Sequence, residues 1–157
     1  MAVPILHPEP KRILLAEDHH VSRHLLERNL SNWGFQVLTA ADGEGALRIL
    51  QGENPPALAV LDWTMPKMDG LEVCRRIRAR ADQPYTYLLL LTARSHKDEI
   101  AEALAAGVDD YIIKPFDSEE LRARLSVGRR VVALERTLAA REEELRVLRA
   151  EKEARRG

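Results

Sequence analysis

Cysteine is almost absent from this chain of 157 residues, and Cys74 stands alone. A single thiol excludes an intramolecular disulfide and a cysteine-based zinc site, and it fits a reducing cytosol. Long apolar runs are missing too. No stretch approaches the roughly 18 apolar residues that a membrane span needs, and MAVPILHPEP at the start lacks the basic region of a secretion signal. Excess charge of one sign is also lacking. A net charge of −1 leaves no electrostatic footprint for direct binding to nucleic acid or to an anionic membrane. A glycine-rich nucleotide loop of the GxxxxGK kind is absent, so the chain is not expected to bind ATP itself. These absences describe a cytoplasmic protein of one ordinary domain, with a short proline-punctuated tail through Pro10.

What is present is alternation. Short apolar runs occur at Ile13 to Ala16, Ala57 to Leu61, Tyr87 to Leu91 and Tyr111 to Ile113, with a weaker one at Phe35 to Thr39. Continuous apolarity over four or five residues is the mark of strands buried on both faces. Between them lie helical patterns with apolar faces. Val21, Leu25, Leu26, Leu30 and Trp33 form one; Ala46, Leu47 and Leu50 another; Leu71, Cys74 and Ile77 a third; Ile100, Leu104 and Ala105 a fourth. Gly34, Gly52 and Gly107 read as helix stops, and Ser95 with Asp98 as a capping box. Five such repeats predict an α/β fold with a parallel sheet and helices on both faces.

The last helix breaks the pattern. Asp117-Ser118-Glu119-Glu120 supplies a helix start, and no proline follows. A helix from about residue 118 to 155 would reach roughly 57 Å at 1.5 Å per residue, beyond the width of such a domain. Its second half must project. There Val127, Val131, Leu134, Leu138, Leu145 and Leu148 fall at d, a, d, a, a and d of a heptad, with Arg141 at the missing d. The flanking pairs Arg130 with Glu135, Glu144 with Arg149, and Glu151 with Arg156 are opposite in sign across a parallel dimer. A homodimer through a parallel coiled coil is the expectation, against a solvated helix folding back on its own domain. The expected division is a tail at 1–10, a domain at 11–127 and a helical extension at 128–157.

Polar residues cluster where the strands end. Glu17 and Asp18 follow the first, Asp62 ends the third, Thr92 the fourth, and Lys114 follows the fifth. In open parallel sheets ligands bind beyond these ends. Carboxylates brought together repel one another unless a cation lies among them, and oxygen-only donors on loops suit Mg²⁺, or Mn²⁺. An Asp beside such a cation suits phosphoryl transfer onto its carboxylate, with lysine and hydroxyl steadying the transferred group.

ILLAEDH at 13 to 19, LDWTMPKMDG at 61 to 70, LLLLTAR at 88 to 94 and AGVDDYIIKPF at 106 to 116 together resemble the receiver domain of two-component response regulators. The resemblance implies a flavodoxin-like sheet in the order 2-1-3-4-5, and a cis Lys114–Pro115 peptide. It implies Asp62 as phosphoacceptor, Glu17, Asp18, Asp62 and the Thr64 carbonyl around Mg²⁺, Thr92 and Lys114 on the phosphoryl group, and Tyr111 as a switch aromatic. It also implies that Thr64 and Arg94 tune the lifetime of the phosphoryl group. A sensor histidine kinase or phosphotransfer protein would be the donor, with an output domain beyond the helix.

Two rival functions remain open at this level: an unphosphorylated coiled-coil scaffold on the same fold, and a haloacid-dehalogenase-like phosphohydrolase. The latter needs a second Asp where Thr64 stands. His20 and His24, four apart, have a zinc-compatible spacing but no carboxylate completing the set; His19 and His20 read as solvated neighbours of the acidic pair. Trp63 reads as a fluorescence reporter next to Asp62, and Trp33 as a core residue.

Overall fold

The computed structural model describes residues 7–157, and the first six of the expected tail lie outside the described residues. Strands β1 (Arg12–Ala16), β2 (Gln36–Ala40), β3 (Leu58–Asp62), β4 (Tyr87–Thr92) and β5 (Asp110–Ile113) alternate with helices α1 (His20–Asn32), α2 (Gly43–Gln51), α3 (Gly70–Arg78), α4 (Ile100–Ala105) and α5 (Ser118–Arg156). The five strands form one parallel sheet in the order β2-β1-β3-β4-β5. The expected fold is thus the observed one.

Residue alternation along each strand divides the core in two. Leu14, Ala16, Ala59, Leu61, Leu88 and Leu90 face α2 and α3, with Leu47, Leu50, Leu71, Cys74 and Ile77 opposite them. Ile13, Leu15, Leu58, Val60, Leu89, Leu91 and Ile112 face α1 and α5, meeting Leu26, Leu30, Leu121, Leu125 and Val132. Burying one such side chain contributes about 1.5–3 kcal/mol, so the central strands carry much of the stability. Helix ends follow local chemistry. Asp42, Asp69 and Asp117 side chains accept from the backbone N–H groups of Gly45, Glu72 and Glu119. Gly34 and Gly107 stop α1 and α4 at φ of +94° and +99°, where a side chain would strain the backbone.

Two helix faces differ from the expected ones. In α1 only Leu26 and Leu30 are buried, whereas Val21 and Leu25 point to solvent at 69% and 61% exposure. The helix lies flat on one sheet face and covers a narrower stripe than its apolar residues span. In α4, Ala103 is buried while Leu104 and Ala105 are exposed. The expected start at Ser95 is replaced by a 3₁₀ segment over Arg94–Glu99, and α4 begins at Ile100 without a side-chain cap. Three residues per turn in that segment shift the phase of every residue after it.

Helix α5 stays packed beyond residue 127. Gly128, Val132 and Ala133 are buried, and Val131 packs on the core from its edge, so the expected boundary falls inside the packed stretch. Residues 7–10 of the expected tail run alongside it. Pro10 is buried, the His7 backbone N–H donates to Thr137 Oγ1 at 3.0 Å, and Glu9 lies 3.6 Å from Arg129. Beyond this, Leu134, Leu138, Leu145 and Leu148 are each more than half exposed. No helix among the described residues is long and apolar enough to cross a membrane.

Candidate functional site

The carboxyl ends of β1, β3, β4 and the turn after β5 bring their polar residues into one recess. Asp62 closes β3 and is only 7% exposed; Glu17, one residue after β1, is 2% exposed; Thr92 at the end of β4 is fully buried. Asp18 is exposed at the rim. One oxygen each from Glu17, Asp18 and Asp62 lies within 4.8 Å of the others, a set that could hold a metal ion. Lys114 Nζ approaches from β5, 2.7 Å from Asp62 Oδ2 and 3.5 Å from Glu17 Oε2.

The loops deliver these groups by backbone constraint. Gly70 N–H donates to Trp63 O at 2.8 Å, and a Cβ on Gly70 would lie 2.3 Å from Asp62 O. Only glycine lets α3 begin so close to the end of β3. Lys67 in the same loop has φ of +69°, which tightens the turn back toward Gly70. The Lys114–Pro115 peptide is cis, as the resemblance implied. Lys114 N–H donates to Thr92 O at 2.7 Å and so ties the lysine to the threonine strand.

Electrostatics make this a strained recess. Burial, then the adjoining Asp62 carboxylate, push Glu17 up to about 7, against the pull of Lys114 and the His19 N–H. The Lys114 ammonium is disfavoured by its own burial, but the Asp62 and Glu17 carboxylates outweigh that and hold it above the ordinary lysine value. With Glu17 ionised, three carboxylates against one ammonium would leave two negative charges; burial and this excess are why Glu17 holds its proton more tightly than an ordinary carboxyl. Among the described residues Glu17 Oε2 has no hydrogen-bond partner, with only the Lys114 ammonium near it at 3.5 Å. A buried carboxylate oxygen without a hydrogen bond, more carboxylates than cations and an all-oxygen donor set are what a divalent hard cation satisfies.

Thr92 Oγ1 donates to Ala93 O at 3.2 Å, a weak local bond that it could exchange for a better acceptor. Tyr111 is half-buried against the α3 side of the core, on the strand next to Thr92. Thr64 is exposed on the loop after β3, its Oγ1 3.3 Å from His96 Nε2. Trp63 is only 4% exposed and stacks on His96, ring centroids 4.5 Å apart. Trp33 is partly buried, with the Arg122 guanidinium 5.7 Å from its ring centroid. His19 is exposed next to the acidic pair and also caps α1, its Nδ1 accepting from Ser22 N at 3.3 Å. His20 and His24 touch ring to ring, but no metal-competent group among the described residues includes them. His96 had no assigned role in the sequence. Its one signal was being the sole histidine in the loop after β4.

Residues 13–126 match the family model described as the response regulator receiver domain. The chain is 45% identical over 124 residues to a probable transcriptional regulator, ycf27, of Porphyridium aerugineum, covering 78% of this chain and 50% of that protein. It is 46% identical over 116 residues to the response regulator MprA of Mycolicibacterium vanbaalenii, covering 74% and 49%. The chain therefore spans about half the length of the curated relatives it matches. Among solved structures, the signal receiver domain of a signal transduction histidine kinase from Syntrophus aciditrophicus is similar at a TM-score of 0.71 and 30% identity, over 78% of this chain and 92% of that one. A chain described as adenylate cyclase from Rhodopirellula baltica is similar at 0.74 and 30% identity, over 87% and 98%. With this sheet order, this acidic recess and these matches together, the chain belongs to the response regulator receiver domains of two-component systems.

Proposed function

We propose that Asp62 accepts a phosphoryl group from a sensor histidine kinase or a phosphotransfer protein, and that the change it causes passes to a dimerising α5. One observation carries this reading: a nearly buried Asp62 carboxylate shares its recess with two further carboxylates and an ammonium 2.7 Å away.

In the transfer, an Asp62 oxygen attacks phosphorus while the bond from phosphorus to the donor's imidazole nitrogen breaks and that nitrogen keeps the electron pair. Glu17, Asp18, Asp62 and the Thr64 carbonyl would hold Mg²⁺ or Mn²⁺, which supplies positive charge to the phosphoryl oxygens as they transfer. Lys114 moves its ammonium from Asp62 to a phosphoryl oxygen, keeping a charge-assisted bond throughout. Thr92 turns its hydroxyl from Ala93 O to another phosphoryl oxygen, drawing its loop inward. The space this vacates admits Tyr111, and the face of α4, β5 and α5 changes shape. Because α5 is packed through Ala133 and projects from there, such a change alters the phase of the Leu134, Leu138, Leu145 and Leu148 stripe relative to the domain. An output domain would read that phase. The role is that of a signalling protein whose only chemistry is on itself.

Intact-mass measurement after incubation with Mg²⁺ and acetyl phosphate tests the reading. One phosphoryl group should add to the wild type and none to Asp62→Asn. An unchanged gain in the variant would remove Asp62 from this role; no gain at all would favour the scaffold, and steady turnover of phosphate esters the phosphohydrolase.

A further inference from the structure

Among the described residues, the loops that follow β3 and β4 are joined by the His96 imidazole. The His96 ring lies on Trp63 with planes 11° from parallel, its Nε2 is 3.3 Å from Thr64 Oγ1, and its Nδ1 is 3.2 Å from Glu99 Oε2. A carboxylate at Nδ1 places the ring hydrogen there, so that Nε2 accepts from the Thr64 hydroxyl. Asp62 stands opposite Leu91 in the sheet register, and Trp63 N–H donates to Leu91 O at 2.8 Å. The two loops therefore leave the sheet side by side, just beyond Asp62 and Thr92. The Thr64–His96 bond spans the gap between them, and the stack beneath it and Glu99 behind it hold the imidazole from two more directions.

We propose that His96 is a positioning residue which, by fixing the Thr64 side chain, shields the phosphoryl site from water and so prolongs the life of the phosphoaspartate. The inference rests on Asp62 being the phosphoacceptor. In hydrolysis a water oxygen bonds to phosphorus as the bond from phosphorus to Asp62 breaks. Asp62 leaves as a carboxylate with the electron pair, and the water proton stays with the released inorganic phosphate or passes to solvent. The attack is in line, from the side opposite Asp62, which is the open mouth of the recess. Thr64 is exposed two residues beyond Asp62, on the loop that leaves the end of β3. Free to rotate, its side chain would leave the approach open for part of the time; tethered by His96 it stays in one place.

The experiment compares wild type, His96→Ala, His96→Phe, Thr64→Val and the Ala/Val double variant. Each is loaded with acetyl phosphate and Mg²⁺, desalted, and followed by intact mass as the phosphoryl group is lost. Trp63 emission is recorded in a Trp33→Phe background. His96→Ala and His96→Phe should both shorten the lifetime about three- to tenfold, the range of one lost hydrogen bond. Phe preserves the stack, so its Trp63 emission should remain near wild type while its lifetime falls, which separates the tether from the packing. Thr64→Val should shorten the lifetime alone, and adding it to His96→Ala should shorten it no further. An equal or longer lifetime in both His96 variants, or effects that multiply in the double variant, overturns the proposal. A wild type that gains no mass overturns the phosphoacceptor reading and this proposal with it; a gain with equal lifetimes overturns this proposal alone.

Discussion

Lys114 Nζ sits 2.7 Å from Asp62 Oδ2 and 3.5 Å from Glu17 Oε2, so one ammonium that follows the edge strand β5 serves two buried carboxylates. Replacing it by Met leaves those carboxylates without a counterion. The metal-free variant should lose about 1–3 kcal/mol, the cost of a buried polar group left unpaired, as read from urea unfolding. Unchanged stability would mean that the carboxylates are neutralised some other way.

Glu17 gives the metal-free protein a pH dependence of definite sign. An acid raised from 4.5 in the unfolded chain to about 7 in the folded one holds its proton longer when folded. Between those values the unfolded state has released a proton that the native state keeps, so stability falls as pH rises through the window. Melting temperatures in EDTA should decline across that range. Mg²⁺ should flatten the decline, because a cation stabilises the ionised form. A melting temperature in EDTA that rises over the same window would contradict the assignment.

Gly70 has no room for a side chain, since a Cβ would come within 2.3 Å of Asp62 O. Gly70→Ala should cost about 1–3 kcal/mol through overpacking. It should also impair acceptance of phosphate, because the atom displaced is the backbone of Asp62 itself. Denaturant titration and the mass assay on the same sample check both.

Cys74 is fully buried, and burial pushes its thiol up to about 12. The native protein should resist iodoacetamide at neutral pH and react once denatured. Fast labelling under native conditions would show that α3 opens readily.

Helix α5 should associate through its outer half. Leu138→Glu with Leu145→Glu should convert a dimer into a monomer by light scattering while leaving thermal unfolding of the domain nearly unchanged, because both leucines lie beyond the last buried residue, Ala133. A monomeric wild type would sink the coiled-coil reading.

The alternation of strands with helices and the acidic recess were legible because their determinants are local, whereas the sheet order 2-1-3-4-5 followed only from the resemblance. Runs such as Leu88 to Leu91 are apolar without interruption, which only a strand covered on both faces explains, and the residue ending each run must then stand at one edge of a parallel sheet. Glu17, Asp62, Thr92 and Lys114 could be collected on that argument before any coordinate was known. Which part of each helix meets the sheet was not legible in the same way. Val21, Leu25 and Leu104 fit an apolar stripe as well as their buried neighbours do, yet they face solvent. Periodicity defines a face; the neighbouring elements decide how much of it they cover. His96 stood four residues from Thr92 in a segment whose 3₁₀ form no spacing announced. Its stack on Trp63 joins residues 33 apart in the chain, a distance over which sequence pattern carries no geometry. The tail at Pro10 and the packing of α5 past Gly128 have the same origin. By itself the sequence determined the order of elements and the chemistry at the strand ends, because backbone periodicity and side-chain alternation are short-range. Only the tertiary structure decided the contacts between loops, because those depend on where the sheet brings distant residues together.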